Sequence, residues 1–139
     1  MREFGQHLTI DASFCNRKKL TDQSLVYDIL NNLPKNLGMT KMTLPHVVKW
    51  LDSGATIEGM SGFVMIAESH ISIHTFPEKE YVFIDVFSCK GFDVDNAVKL
   101  LVNAFGAKKY TKKVINRGMD FPRSHPDHIY EKAELAVTK

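Results

Sequence analysis

At 139 residues, with 44% hydrophobic and 24% charged side chains, the chain has the size and balance of one folded domain. That composition excludes a disordered or fibrous protein, and no apolar run nears the roughly 20 residues that span a bilayer. The start "MREFGQHLTI" has no signal-peptide core, so a cytoplasmic protein without membrane association is expected. The net charge of +2 has one local basic concentration, "KKYTKK" at 108–113. Without a recognisable binding motif it reads as a solvated strand face, and no nucleic-acid partner is expected. Cys15 and Cys89 are too few for a disulfide framework or a zinc site, which leaves two free thiols in a reducing compartment.

In chain order, 7–14 alternates as a strand, and 20–38 reads as a helix with Thr21 as N-cap. Leu25, Ile29 and Leu33 lie at helical spacing there, Pro34 ends or kinks the helix, and Gly38 stops it. Residues 39–51 suggest a strand interrupted near Pro45, and 52–62 a glycine-containing loop. "FVMIA" and "ISIHTF" are β-rich runs, with "PEKE" at 77–80 as the turn into "YVFIDVFSC". Asp93 can cap a helix whose Val94, Val98, Leu101 and Phe105 share a face, with Gly106 as its end and "KKYTKKVIN" as a last strand. The tail 118–139 is polar and proline-containing. His125 and His128 within it read as a solvated loop, so no metal is expected. The order implies an α+β two-layer sandwich, an antiparallel sheet with helices on one face, as a single domain over 1–139.

The stretch "IAESHISIHTF", 66–76, is unusual for a core strand because Glu68, Ser69, His70 and His74 interrupt it. A four-residue turn at 77–80 sets Phe76 opposite Tyr81, His74 opposite Phe83, Ser72 opposite Asp85, His70 opposite Phe87 and Glu68 opposite Cys89. A slip of one residue would reverse both faces. In this register Ile71, Ile73, Val82, Ile84 and Val86 make one aliphatic face. The other face mixes Glu68, His70, Ser72, His74, Asp85 and Cys89 with Phe76, Tyr81, Phe83 and Phe87, which is the composition of a site or of an interface that contains one.

The segment "ESHISIHTFPEKEYVFIDVFSC", 68–89, resembles the processing-site segment of the small prokaryotic S-adenosylmethionine decarboxylases. These are pyruvoyl-dependent enzymes that supply aminopropyl groups for polyamine synthesis, spermidine included. The spacing from Glu-Ser-His through His-Thr-x-Pro-Glu to Asp-x-Phe-x-Cys is intact, and the likeness extends over most of 4–117. It implies self-cleavage between Glu68 and Ser69, with Ser69 becoming a pyruvoyl group that serves as electron sink. By the same resemblance Cys89 is the proton donor, His74 the base of the elimination step, and Ser61 a processing residue that holds intermediates.

The resemblance also implies that Glu78 binds the ribose of S-adenosylmethionine. Ala55 stands where the family has an adenine-stacking aromatic, so Trp50 or Phe4 is the candidate substitute, and Phe76 replaces a common tryptophan. Arginine or ornithine is therefore the alternative substrate, and an unprocessed, non-catalytic partner protein the alternative class. Five residues of extended strand put His74 about 16 Å from Ser69 of its own chain, whereas a base must come within about 3 Å of its proton. A homodimer follows as an expectation, four-layered αββα, with Ser69 and Cys89 of one chain meeting Ser61 and His74 of the other.

Overall fold

The computed structural model describes residues 2–51, 54 and 56–122. The expectations for Ala55, His125, His128 and the rest of the tail from 123 onward lie outside the described residues. Six strands form one antiparallel sheet: β1 (Gly5–Ser13), β2 (His46–Leu51), β3 (Ile57–Ile66), β4 (Ser69–Phe76), β5 (Tyr81–Ser88) and β6 (Lys109–Arg117). Their order across the sheet is β2-β3-β4-β5-β1-β6. The helices are α1 (Arg17–Leu20), α2 (Gln23–Asn36) and α3 (Val94–Ala104). This is the two-layer α+β sandwich that the element order implies.

The expected hairpin register holds from Phe76↔Tyr81 through His70↔Phe87. Its turn is a short 3-10 helix, Pro77–Lys79, closed by Glu80 in a left-handed conformation. Ile71, Ile73, Val82, Ile84 and Val86 are buried with Leu8 and Ile10 of β1 beneath Leu20, Val26, Leu30, Leu101 and Phe105. Burial of this aliphatic layer is the main stabilising term, because apolar area removed from water contributes about 25 cal/mol per Å².

Three details differ from the expectation. The N-cap of α2 is Asp22, whose carboxylate accepts the Leu25 N–H at 3.0 Å, and not Thr21. Thr21 instead closes the unanticipated α1, its hydroxyl donating to the Arg17 and Lys18 carbonyls. The buried stripe of α2 is Val26, Leu30 and Leu33, turned by one residue from Leu25 and Ile29. The cause is a close approach: a Cβ on Gly62 would lie 2.6 Å from Leu30 Cδ1 and 3.1 Å from Val26 Cγ1, so these two residues seat over the bare backbone. Lastly, most of the supposed loop 52–62 is strand from Ile57 onward. Its glycines mark contacts and not a turn, since a Cβ on Gly59 would stand 2.8 Å from the Thr75 carbonyl oxygen. Pro34 stays within the last turn of α2, and the interruption near Pro45 separates an isolated Lys41↔Ile66 bridge from β2.

The capping geometry has a direct test. Asp22→Ala is expected to lower stability by about 1 kcal/mol in urea unfolding, while Thr21→Ala costs less. The reverse ranking would restore Thr21 as the cap.

Candidate active site

The face of the sheet away from the helices carries large apolar side chains in the open. Trp50 is 71% exposed and Val48 66%, with Phe63, Met65, Phe76 and Phe83 each at 40% or more. Monomeric proteins seldom leave a contiguous apolar area of this kind uncovered. The sequence-predicted residues fall on this face and its rims, at the two ends of β4.

At one end stand Ser61, His74, Glu78 and Trp50. Antiparallel pairing puts Ser61 of β3 opposite His74 of β4, and the serine Oγ is 2.9 Å from the His74 Nδ1. That bond fixes the imidazole ring. All four residues line a cavity of about 450 Å³, together with Glu58, Phe76 and Lys79. Two carboxylates, an aromatic face and a held imidazole suit a cationic substrate with hydroxyl groups.

At the other end stand Glu68, Ser69, Cys89 and Phe4. Cys89 follows β5 and donates its backbone N–H to the Glu68 carbonyl at 2.9 Å. Ser69 opens β4 with a φ of +155°, a region that L-residues seldom take. Phe4 precedes Gly5, whose backbone lies against Ser88 and Cys89, and its ring meets Phe121 at 4.4 Å. The structure thus brings the predicted residues together in two groups, and the extended β4 holds the groups apart.

Between them runs a polar network that the sequence reading did not assemble. Asp85 accepts from His7 Nε2 at 3.0 Å and from the Ser72 hydroxyl at 3.4 Å. Arg117 stacks over the Phe87 ring at 4.2 Å. Asp85 and Ser72 were visible in the hairpin pattern, but His7 arrives through the β1–β5 pairing, which no local signal announces. His70 lies stacked on Phe63 at 5.4 Å and edge-on to Phe87 at 5.8 Å. Burial lowers its pKa, the nearby His7 and Arg117 act in the same direction, and Asp85 opposes them.

A six-stranded antiparallel sheet layered on helices carries a Glu-Ser peptide at a strand start, bonded to the amide of a free cysteine, and its relatives place the chain in the pyruvoyl-dependent decarboxylase class. The family model for S-adenosylmethionine decarboxylase matches residues 6–118. An S-adenosylmethionine decarboxylase proenzyme of Clostridium botulinum is 37% identical over 119 residues, covering 85% of this chain and 97% of the relative. One from Pyrococcus furiosus is 31% identical over 121 residues, covering 86% and 83%. The crystal structure of the adenosylmethionine decarboxylase from Aquifex aeolicus superposes with a TM-score of 0.72 at 26% identity, covering 89% of this chain and 98% of that one. The chain belongs to the S-adenosylmethionine decarboxylase family.

Two measurements check the site as drawn. Cys89 is exposed, whereas Cys15 is buried and its thiol is pushed up to about 11 by burial and by Glu80. A thiol reagent is therefore expected to label Cys89 alone in the folded protein, and labelling of Cys15 without denaturant would contradict this packing. For His70, the folded state binds the proton less tightly than the unfolded chain does. Stability is then complete above the ordinary imidazole value of about 6.5 and declines as pH falls from there toward the lowered folded value. His70→Gln is expected to flatten that decline in urea midpoints taken across the window, and an unchanged slope would count against the assignment.

Proposed function

We propose that the chain is the self-processing proenzyme of a pyruvoyl-dependent S-adenosylmethionine decarboxylase, one domain over 1–139 cut between Glu68 and Ser69. The observation that carries this reading is the scissile peptide itself, with the Glu68 carbonyl held by the Cys89 N–H at 2.9 Å and Ser69 at a strained φ of +155°. A donor on that carbonyl stabilises the negative oxygen that develops as the Ser69 hydroxyl adds to its carbon. The C–N bond then breaks as the C–O ester remains, and the freed amine takes up the hydroxyl proton. Removal of the Ser69 α-proton expels the Glu68 carboxylate, which ends chain 1–68. Water replaces the nitrogen of the remaining dehydroalanine as ammonia and leaves a pyruvoyl group heading chain 69–139.

The pyruvoyl carbonyl supplies an electron sink for a substrate amine that loses carbon dioxide. Cys89, exposed beside the cut, delivers from its Sγ the proton that takes the place of the lost carboxyl. His74 acts as the base of processing, with Ser61 holding its ring. Along extended β4 it stands about 16 Å from its own Ser69, so it serves the Ser69 of a second copy. A two-fold dimer with the open faces packed together, four layers αββα, covers the exposed Trp50, Val48, Phe63 and Phe83 and joins the two half-sites.

Glu78 suits the ribose hydroxyls, and Glu58 beside it suits the sulfonium charge. Trp50 or Phe4 offers a ring to the adenine. Arginine and ornithine lack ribose and adenine and so leave Glu78 and the aromatic ring with less to bind. Decarboxylated S-adenosylmethionine is an aminopropyl donor for spermidine synthesis, and a reducing cytoplasm suits the two free thiols.

Intact mass spectrometry tests the proposal. Wild type is expected to give chains 1–68 and 69–139, the second blocked by a carbonyl that reacts with a hydrazide, and Ser69→Ala to remain one chain. Carbon dioxide released from carboxyl-labelled S-adenosylmethionine, and not from arginine or ornithine, completes it. A stable uncut wild type, or cleavage in Ser69→Ala, would sink the processing site.

A further inference from the structure

The turn that joins β3 to β4, and so contains the scissile bond, is gripped by the segment that follows α2. Met42 donates its N–H to the Met65 carbonyl at 2.9 Å, and Ala67 donates to the Thr40 carbonyl at 2.8 Å. The Thr40 N–H in turn donates to the Glu68 carboxylate Oε1 at 3.0 Å. One residue, Thr40, thus holds the backbone of Ala67 and the side chain of Glu68. The segment is itself anchored at both ends. The Lys41 Nζ bonds the Asn31 side-chain oxygen on α2, and the Lys90 Nζ bonds the Gly38 carbonyl at 3.0 Å. Lys90 directly follows Cys89, so the same segment ties the scissile turn to the loop that presents the thiol.

Resting on the self-processing reading above, we infer that the Glu68 side chain is a positioning group for the cut, clamped by the Thr40 backbone. The physical need is clear from Ser69. A non-glycine residue at a φ of +155° persists only where its surroundings over-determine it, and the residue before it is the natural place to apply that restraint. Glu68 is held at its carbonyl by the Cys89 N–H and at its carboxylate by the Thr40 N–H, so the residue whose carbonyl carbon Ser69 must attack is restrained at two points. A carboxylate accepting a backbone N–H makes a charge-assisted bond, stronger than a neutral one. Once the peptide is cut these bonds still hold Glu68, now the end of chain 1–68, against the Cys89 loop. The clamp therefore also retains the new terminus.

The test follows chain cleavage in time by intact mass spectrometry of freshly refolded protein. Glu68→Ala is expected to cut about ten- to a hundred-fold more slowly, the loss of one charge-assisted hydrogen bond. Glu68→Gln keeps an oxygen acceptor for the Thr40 N–H and is expected to stay within about three-fold of wild type. Lys41→Met, which leaves Glu68 intact but removes the side-chain tie from the segment to Asn31 of α2, is expected to slow the cut as well. Unfolding midpoints of Ser69→Ala with and without Glu68→Ala, both uncut, show that the difference is not loss of fold. Equal rates for wild type and Glu68→Ala would overturn the inference. So would Glu68→Gln as slow as Glu68→Ala, since charge and not holding would then be the operative property. An uncut wild type is a different outcome, which removes the self-processing reading and this one with it.

Discussion

The antiparallel pairing of β4 with β5 is the constraint on which the rest of the structure depends. With Phe76 opposite Tyr81, every second residue of both strands goes to the helices and the others to the open face. The aliphatic set Ile71, Ile73, Val82, Ile84 and Val86 can be buried only in this register. A slip by one position would put His70, His74 and Asp85 under the helices, where charged groups without partners are costly. The same pairing brings the Cys89 amide to the Glu68 carbonyl, so the packing that folds the hairpin also sets the surroundings of the Glu68–Ser69 peptide.

Polar groups on the open face are held by partners. Asp85 is shared by His7 and Ser72, and Ser72, only 9% exposed, has its hydroxyl satisfied there. No buried side-chain polar atom among the described residues lacks a hydrogen-bond partner. This matters because a partly buried ion set among aromatic rings is tolerable only when it is paired, and an unpaired one costs more than a pair returns. His70, between Phe63 and Phe87, meets the same requirement by favouring its neutral form.

The extended strand also explains why the candidate site residues fall into two groups. Ser61 and His74 face each other across β3 and β4, and Ser69 and Cys89 adjoin across β4 and β5, but the length of β4 separates the pairs. A straight strand cannot fold its own ends together. The apolar face between them, with Trp50 and Val48 most exposed, is the surface on which the proposed dimer rests.

Much of this was legible in residue order alone. Alternation and turn chemistry identify the hairpin, its register and its two faces. The Asp93 cap and the Val98–Leu101–Phe105 stripe identify α3, and the Glu-Ser-His spacing marks the candidate site residues, because each signal lies within a few neighbouring positions. What escaped depended on residues far apart in the chain. The rotation of α2 onto Val26 and Leu30 follows from the missing Cβ of Gly62, and Gly59 and Gly62 suggested a loop until their cross-strand and helix contacts were seen. Thr40 beneath Glu68 and His7 beside Asp85 are brought together only by the sheet and the segment after α2. Sequence by itself determined the local alternation and the chemistry of single residues, since those are set by neighbours along the chain. Tertiary structure alone decided which distant backbone amide or carboxylate each of them meets, since that depends on how the strands and helices close around one core.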